Sequence, residues 1–420
     1  MSGFRNYHFR YIKSVLYALV SIALIVFLVI YAVNNVNFNQ GGSEIAEEPT
    51  PRPTENNLNK IKIQLVGDVV LNDTLISNNS NAYGEYNFDN CFSTIASNID
   101  GDVVIFNLEG VIDANKDGTQ IAGAPIYNYP KEIAMSAYKA GFNVCITAND
   151  RASYFGNEGI KNNVENLRDI GLLVSGSSLK GEKNYVIKEF NSVKVAVLAY
   201  TDKLINFDEI DTDCIASVDF YDVEGTMDRI EADVVSAKEE GAEIIIASMH
   251  WGDELASKVT DDQRELAEKM VKSGVDIIYG TRSHVFQPVT YKNIIDDSGE
   301  SKNVIVAYSM GNFLSQPTIT SGQKTQQSGI LNIYVERDTE GKAYISSAEC
   351  MPIYIYAKAL DSVGTNYAYS ILPATEYALS ETRPEIFLND ENWENCKTAY
   401  KNMKEIVEES SANGIPLGLR

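Results

Sequence analysis

The chain has 420 residues, with 58 acidic residues against 35 Lys plus Arg and a formal charge of −23. The first forty residues carry only Arg5, Arg10 and Lys13, so 35 − 3 = 32 basic residues face all 58 acids beyond them, a charge of −26. So acidic a body lacks the basic surface that displaces phosphate counterions, which excludes nonspecific nucleic-acid binding.

In chain order, residues 1–14 are basic and precede Val15–Val33, which reads VLYALVSIALIVFLVIYAV without charge, Gly or Pro. At about 1.5 Å per residue a helix of that length nearly crosses the hydrocarbon layer of about 30 Å. Basic flanks stay on the cytoplasmic side, so the expectation is a single-pass signal-anchor at 15–33, a cytoplasmic segment at 1–14, and everything after it outside the cell membrane. The competing reading is a cleaved signal peptide, against which stand the poor cleavage site at Ile30 and Ala32 and the length of the apolar run. Residues 34–59 are polar and Pro-bearing and read as a stalk.

Beyond the stalk, short β-branched runs recur at Ile61–Val66, Val103–Phe106, Val144–Thr147, Val193–Leu198, Ile244–Ala247, Val275–Tyr279 and Val304–Tyr308. Such near-continuous apolar runs predict strands covered on both faces. Between them, Pro130–Ala140 predicts a helix stopped by Gly141. Thr260–Ser273 predicts another, with Thr260 and Gln263 as a capping box, acids at its start, an apolar stripe from Leu266, Ala267, Met270 and Val271, and Gly274 as its stop. The alternation predicts an α/β domain over 60–380, with a helical extension at 381–420 whose helix spans about Asp390–Glu409. Cys91, Cys145, Cys214, Cys350 and Cys396 are odd in number, widely spaced and free of Cys-x-x-Cys, and so outline neither a disulfide framework nor a thiolate metal site. After Pro317 the one readable pattern is Ile353 and Ile355 alternating with Tyr354 and Tyr356, the two faces of a strand.

Polar residues fall at the ends of these strands. Asp68 follows the first, Asn107 and Glu109 the second, Asn149, Asp150 and Arg151 the third, His250 the run from Ile244, and Arg282 and His284 the run from Val275. Carboxyl ends of strands are where α/β proteins place ligands, although an Asp there also serves as an ordinary turn cap. Of the three histidines, His8 precedes the apolar segment and the other two both end strands. Two imidazoles among Asp, Glu and Asn form the mixed nitrogen and oxygen set that divalent transition metals accept; the plain alternative is a pair of satisfied structural histidines.

These residues carry a family resemblance. Leu65-Val66-Gly67-Asp68, Asn107-Leu108-Glu109-Gly110, Gly141 through Ala148-Asn149-Asp150 to Gly156-Asn157-Glu158-Gly159, His250-Trp251-Gly252, Gln263-Arg264-Glu265-Leu266-Ala267, His284-Val285-Phe286-Gln287-Pro288 and Tyr308-Ser309-Met310-Gly311-Asn312-Phe313 occur in the order found in the CapA family. The resemblance to these capsule and poly-γ-glutamate synthesis proteins covers about Ile61 to Gln316. It implies a four-layer αββα sandwich of the calcineurin-like metallophosphoesterase type. It also implies one or two divalent ions (Mn, Fe or Zn) on Asp68, Glu109, Asn149, His250 and His284, with Asp68, Asn149 and His250 in catalytic roles. The partners it implies are the membrane and an anionic surface polymer or its synthase complex.

Two positions depart from the family pattern. Asn149-Asp150-Arg151 stands where the family usually has Asn-Asn-His, and Arg282-Ser283-His284 where it has His-x-His. A guanidinium has no lone pair for a metal, so fewer than two ions per chain and weakened or lost phosphoesterase chemistry are expected. Three readings follow: a hydrolase with a reduced metal site in which Arg151 and Arg282 clamp an anionic substrate; a noncatalytic polymer-binding component; or a structural relic whose arginines pair with Asp150 and Asp253.

Overall fold

The computed structural model describes residues 60–112, 120–204, 210–316, 323–362, 366–412 and 414–420, within a compact unit spanning Pro51–Arg420. The expected anchor at 15–33 and stalk at 34–59 lie outside the described residues. Among the described residues no helix is long and apolar enough to cross a membrane.

The first strands are β1 (Lys60–Val70), β2 (Val103–Leu108), β3 (Val144–Ile146), β4 (Leu173–Ser175), β5 (Val186–Phe190), β6 (Val193–Thr201), β7 (Ile244–His250) and β8 (Ile277–Thr281). They are followed by β9 (Val289–Ile295), β10 (Ser301–Ala307), β11 (Asn312–Ser315), β12 (Gln327–Arg337), β13 (Ala343–Ala359), β14 (Tyr367–Pro373) and β15 (Gly418–Leu419). One sheet runs β14-β13-β12-β1-β2-β3-β4, with β11 added to β1 and β15 to β13; the other runs β5-β6-β7-β8-β10-β9. Both are mixed: β1 to β4 and β6 to β8 pair in parallel, whereas β12 to β14, β5 and β9 join antiparallel.

Alternation along each strand explains the layering. Ile61, Ile63 and Leu65 meet Val195, Val197, Ile244, Ile246, Ile277 and Ile305 in a core between the sheets. The intervening residues Val104, Phe106 and Cys145 turn outward onto Ile133, Ala137, Val164 and Leu167 of two helices, Glu132–Ala140 and Gly156–Ile170. On the far side Ala196, Leu198, Ile245 and Ala247 meet Met227, Ile230, Leu266 and Met270 of the helices Val223–Glu239 and Asp261–Ser273. Helix, sheet, sheet and helix therefore stack as the sequence predicts for an α/β sandwich, because period-two strands with both faces apolar need cover on both sides. All five cysteines are buried and free.

The helix Asp261–Ser273 carries the expected capping box between Thr260 and Gln263, and Gly141 stops the helix before it in the left-handed conformation at φ 114°. Strand ends differ from expectation. Asp68 and Asn107 lie inside β1 and β2, because β1 changes partner: Lys60–Leu65 pairs with β12, whereas Asp68–Val70 pairs with β11. Val275 precedes β8, since its N–H turns back to the Met270 carbonyl at 3.1 Å behind the helix. Tyr354 and Tyr356 lie on β13 as the alternation predicts, stacked at 6.3 Å and packed on Phe387, Cys396 and Ala399. Beyond them the helix Asp390–Ala412 inserts Met403 and Val407 into the core between the sheets.

Candidate metal centre

The partner change in β1 creates the site. At the register shift the backbone opens between Leu65 and Asp68, and the Asp68 N–H donates to the Gly311 carbonyl at 2.8 Å. The fit leaves no room for a side chain at the preceding residue, since a Cβ on Gly67 would stand 2.0 Å from the Gly311 oxygen. Asp68 is thereby aimed across the strand ends, where Asn107 Nδ2 donates to its Oδ1 at 2.8 Å. Asn149 extends the chain, donating from Nδ2 to Asn107 Oδ1 at 3.1 Å and to the Leu108 carbonyl at 2.8 Å, while its Oδ1 accepts from the Arg151 N–H at 3.2 Å.

From the other sheet, His250 ends β7 fully buried and its Nδ1 shares a hydrogen bond of 3.0 Å with Thr281 Oγ1. That leaves Nε2 facing Asp150 Oδ1 at 3.4 Å. After β8 the chain passes through Arg282 and His284 at φ 88° and 58°. Left-handed backbone at such bulky residues is strained and is held by its surroundings. Here Ser283 Oγ donates to the Val285 carbonyl at 2.7 Å and lies 2.9 Å from Ser309 Oγ. His284 Nδ1 sits 3.0 Å from Asn312 Oδ1 and 3.3 Å from Asp68 Oδ2, and its Nε2 lies 3.6 Å from Glu109 Oε1.

Two ligand groups result, Asp68 with Glu109 and His284, and Glu109 with Asp150 and His250. Glu109 belongs to both. The residues fit a cation on a feature of their own: Glu109 Oε2, Asp150 Oδ1 and His250 Nε2 are buried and, among the described residues, meet no partner in hydrogen-bond geometry. Protein interiors rarely leave such atoms unpaired, and a carboxylate pair with an imidazole is a donor set suited to a divalent ion. The charges respond to their crowding. Burial, with Asp68 and Asp150 nearby, pushes Glu109 up to about 7 against the pull of His284 and His250. Burial opposes a proton on His284, yet Glu109 and Asp68 hold it up to about 10. Burial also opposes the charge on Asp150, but His250, Arg151 and Arg282 outweigh it and lower that carboxyl to about 2.

The two arginines differ. Arg282 is buried and its Nη1 donates to Asp202 Oδ1 at 2.9 Å, so Asp202, not Asp253, takes this charge. Arg151 lies with its guanidinium over the Tyr127 ring at 4.4 Å. Its Nε is 3.5 Å from Asp150 Oδ1 and 3.9 Å from Glu109 Oε1, and Nη2 is 3.8 Å from Glu254. Of the pair, Arg151 has the longer ion pairs, at 3.5 to 3.9 Å and shared among three acids.

All nine polar residues picked out at strand ends converge here, and Thr281, Asn312 and Asp202 join them. Asp150, picked out at a strand end and offered as a partner for Arg151 but not as a metal ligand, belongs to the second ligand group. Asn107, Thr281 and Asn312 orient Asp68, His250 and His284, and Asp202 directly follows β6.

The sequence profile described as Bacterial capsule synthesis protein PGA_cap matches residues 62–317. The chain belongs to this family. Among curated members of the capsule synthesis family, the capsule biosynthesis protein CapA of Bacillus anthracis is 28% identical over 267 residues, covering 61% of this chain and 60% of that protein. The PGA biosynthesis protein CapA of Bacillus subtilis (strain 168) is 25% identical over 252 residues, covering 57% and 60%. The alignments thus span about 60% of the length of these curated relatives. Similar solved structures include calcineurin-like phosphoesterase YfkN from Bacillus subtilis, at 12% identity and TM-score 0.40 over 83% of this chain and 99% of that one. Another is the NAD nucleotidase of Haemophilus influenzae, at 13% identity and TM-score 0.38 over 86% and 57%.

Proposed function

We infer that this chain takes part in making or exporting a bacterial capsule polymer, and that its centre is a metal-assisted site acting on an anionic ester of that polymer. The surface-polymer setting follows from the family and from the named roles of the two relatives. In this reading the apolar run 15–33 fixes the domain at the outer membrane face, where an emerging polymer is met.

The observation that carries the chemistry is the buried trio of Glu109 Oε2, Asp150 Oδ1 and His250 Nε2, which among the described residues meets no partner in hydrogen-bond geometry. Asp68, Glu109 and His284 would hold one ion and Glu109, Asp150 and His250 a second, Asp150 supplying the carboxylate that offsets the absent family histidines. A divalent ion such as Mn, Fe or Zn supplies Lewis-acid polarisation of an ester oxygen when bound. The chain's own residues do the rest. Arg151, steadied on Tyr127 and held by its acids only at 3.5 to 3.9 Å, orients the anionic group and faces the charge that develops on it. Arg282 is positioning: through Asp202 and its N–H at 3.4 Å from Asp68 Oδ2 it holds the loop that carries His284. Without metal, burial pushes Glu109 up to about 7, so binding of a cation by this carboxylate displaces a proton near neutrality.

Hydrolysis of phosphomonoester and phosphodiester probes by the full chain in detergent should depend on added divalent metal and vanish in Asp68→Ala and His250→Ala. Turnover that survives both substitutions would exclude this centre as its source. A binding-only role finds its support in Arg151, whose guanidinium stands beside the carboxylates of the second group and competes with a cation there; in that case metal binds weakly and no variant of the centre changes hydrolysis.

A further inference from the structure

Two cavities adjoin the centre. One, of about 710 Å³, is lined by Asp150, Asp202, Lys203, Ser217 and Asp219 among others. The other, of about 150 Å³, is lined by Asp202, Lys203, Tyr221, Asp253, Asp262 and Gln263 together with Phe220, Trp251 and Gly252. Asp202 and Lys203 line both, so the second cavity lies beside the first, which reaches Asp150 of the metal centre.

Three features of the second cavity call for a ligand. Gln263 lines it at 5% exposure, and its Nε2 is a buried donor with no partner among the described residues, although its Oε1 is engaged by the Thr260 N–H at 3.0 Å. Tyr221 is 93% exposed, an unusual cost for so large a ring. The turn that carries it is held at the backbone: the Tyr221 N–H donates to Asp219 Oδ1 at 2.9 Å, and Thr226 Oγ1 donates to the Asp219 carbonyl at 2.7 Å. Beneath it Phe220 meets buried Trp251 edge-on at 6.2 Å, giving the turn a rigid floor. Lastly, the charge is acidic. Asp202 is taken by Arg282, which leaves Asp253 and Asp262 against Lys203 alone in this cavity.

An acidic lining repels a polyanion segment. Carboxylates accept from hydroxyl groups, the Gln263 amide and the Lys203 ammonium donate to them, and an exposed tyrosine ring offers an apolar face with a polar rim. That combination matches a neutral sugar, which presents hydroxyls at its edge and C–H bonds on its face. We propose that the groove formed by Lys203, Tyr221, Asp253 and Gln263 is a glycosyl subsite that seats a neutral sugar unit next to the anionic group at the metal centre. The substrate class is then a glycan carrying an anionic ester, an assignment that rests on the metal-assisted reading only for the bond attacked.

The test is direct binding of neutral oligosaccharides of glucose, galactose and N-acetylglucosamine to the full chain in detergent, with poly-γ-glutamate as the anionic competitor. Gln263→Glu keeps the acceptor that caps the helix while removing the amide donor, and Tyr221→Ala touches neither core nor centre. One or more of the neutral sugars should bind, each substitution should weaken that binding about tenfold, the scale of one lost contact, and Tyr221→Ala should retain its metal. Absence of binding by every neutral sugar, binding indifferent to both substitutions, or displacement of the sugar by poly-γ-glutamate would overturn the subsite. Sugar binding in a chain that takes up no metal would sink the metal-assisted reading and leave the subsite standing.

Discussion

At the scale of single residues the centre is a contest between fixed and exchangeable positive charge. Arg151 holds its charge at 3.5 Å from Asp150 and 3.9 Å from Glu109, beside the second ligand group. A second ion is therefore expected to bind more weakly than the first, and elemental analysis of the purified chain should find fewer than two tightly held ions. Arg151→His should raise that content, because a neutral imidazole replaces a competing cation with a donor. Arg282→His is the poorer experiment, since it would strip Asp202 of its 2.9 Å partner. Proton binding gives an independent check on the metal-free chain. The folded-state values of Glu109, about 7, and His284, about 10, both lie above their ordinary ones. Each therefore contributes stability that is present at low pH and is lost as pH rises through those values. The thermal midpoint of the chelated protein should fall between about pH 6 and about pH 9. A midpoint that rises over that interval would contradict the crowding described for these two groups.

Among elements, β1 does most to make the site, and its behaviour was the least legible in the sequence. The run Ile61–Val66 marks a buried strand by composition alone, and Thr260 with Gln263 marks a helix start, because both signals are local. The exchange of β12 for β11 alongside β1 depends on where Gly311 arrives from far along the chain, which no local pattern records. For the same reason Asp68 reads as a residue after a strand when it lies within one. In the sequence Asp150 has a nearer explanation as a partner for its neighbour Arg151, whereas the residues it meets, Glu109 and His250, come from strands of two different sheets. Gly67 is the point where this geometry is most exposed to substitution. In Gly67→Ala the added methyl must displace the Gly311 carbonyl, so metal content should drop sharply and the thermal midpoint with it. An unchanged midpoint and unchanged metal would mean that β1 and Gly311 do not meet as described.

For the whole molecule, the centre depends on the two sheets keeping their relation, since Asp68, Glu109 and Asn149 come from one and His250, Arg282 and His284 follow strands of the other. What fixes that relation is the core between the sheets, and part of it is supplied from a distance by Met403 and Val407 on the helix Asp390–Ala412. Met403→Ala should cost about 2–5 kcal/mol, the usual range for emptying a buried methionine site, measurable by denaturant unfolding; a change below about 1 kcal/mol would mean that the helix is not part of the core. Ser410 reinforces the arrangement by accepting the Val289 N–H at 3.1 Å, and β15 adds Gly418 and Leu419 beside β13. These residues are translated after every strand of β1 to β14. A nascent chain therefore leaves its sandwich unfinished until they emerge from the ribosome, so the two sheets, and with them the centre, can take up their final relation only after residues 390–419 have joined the core.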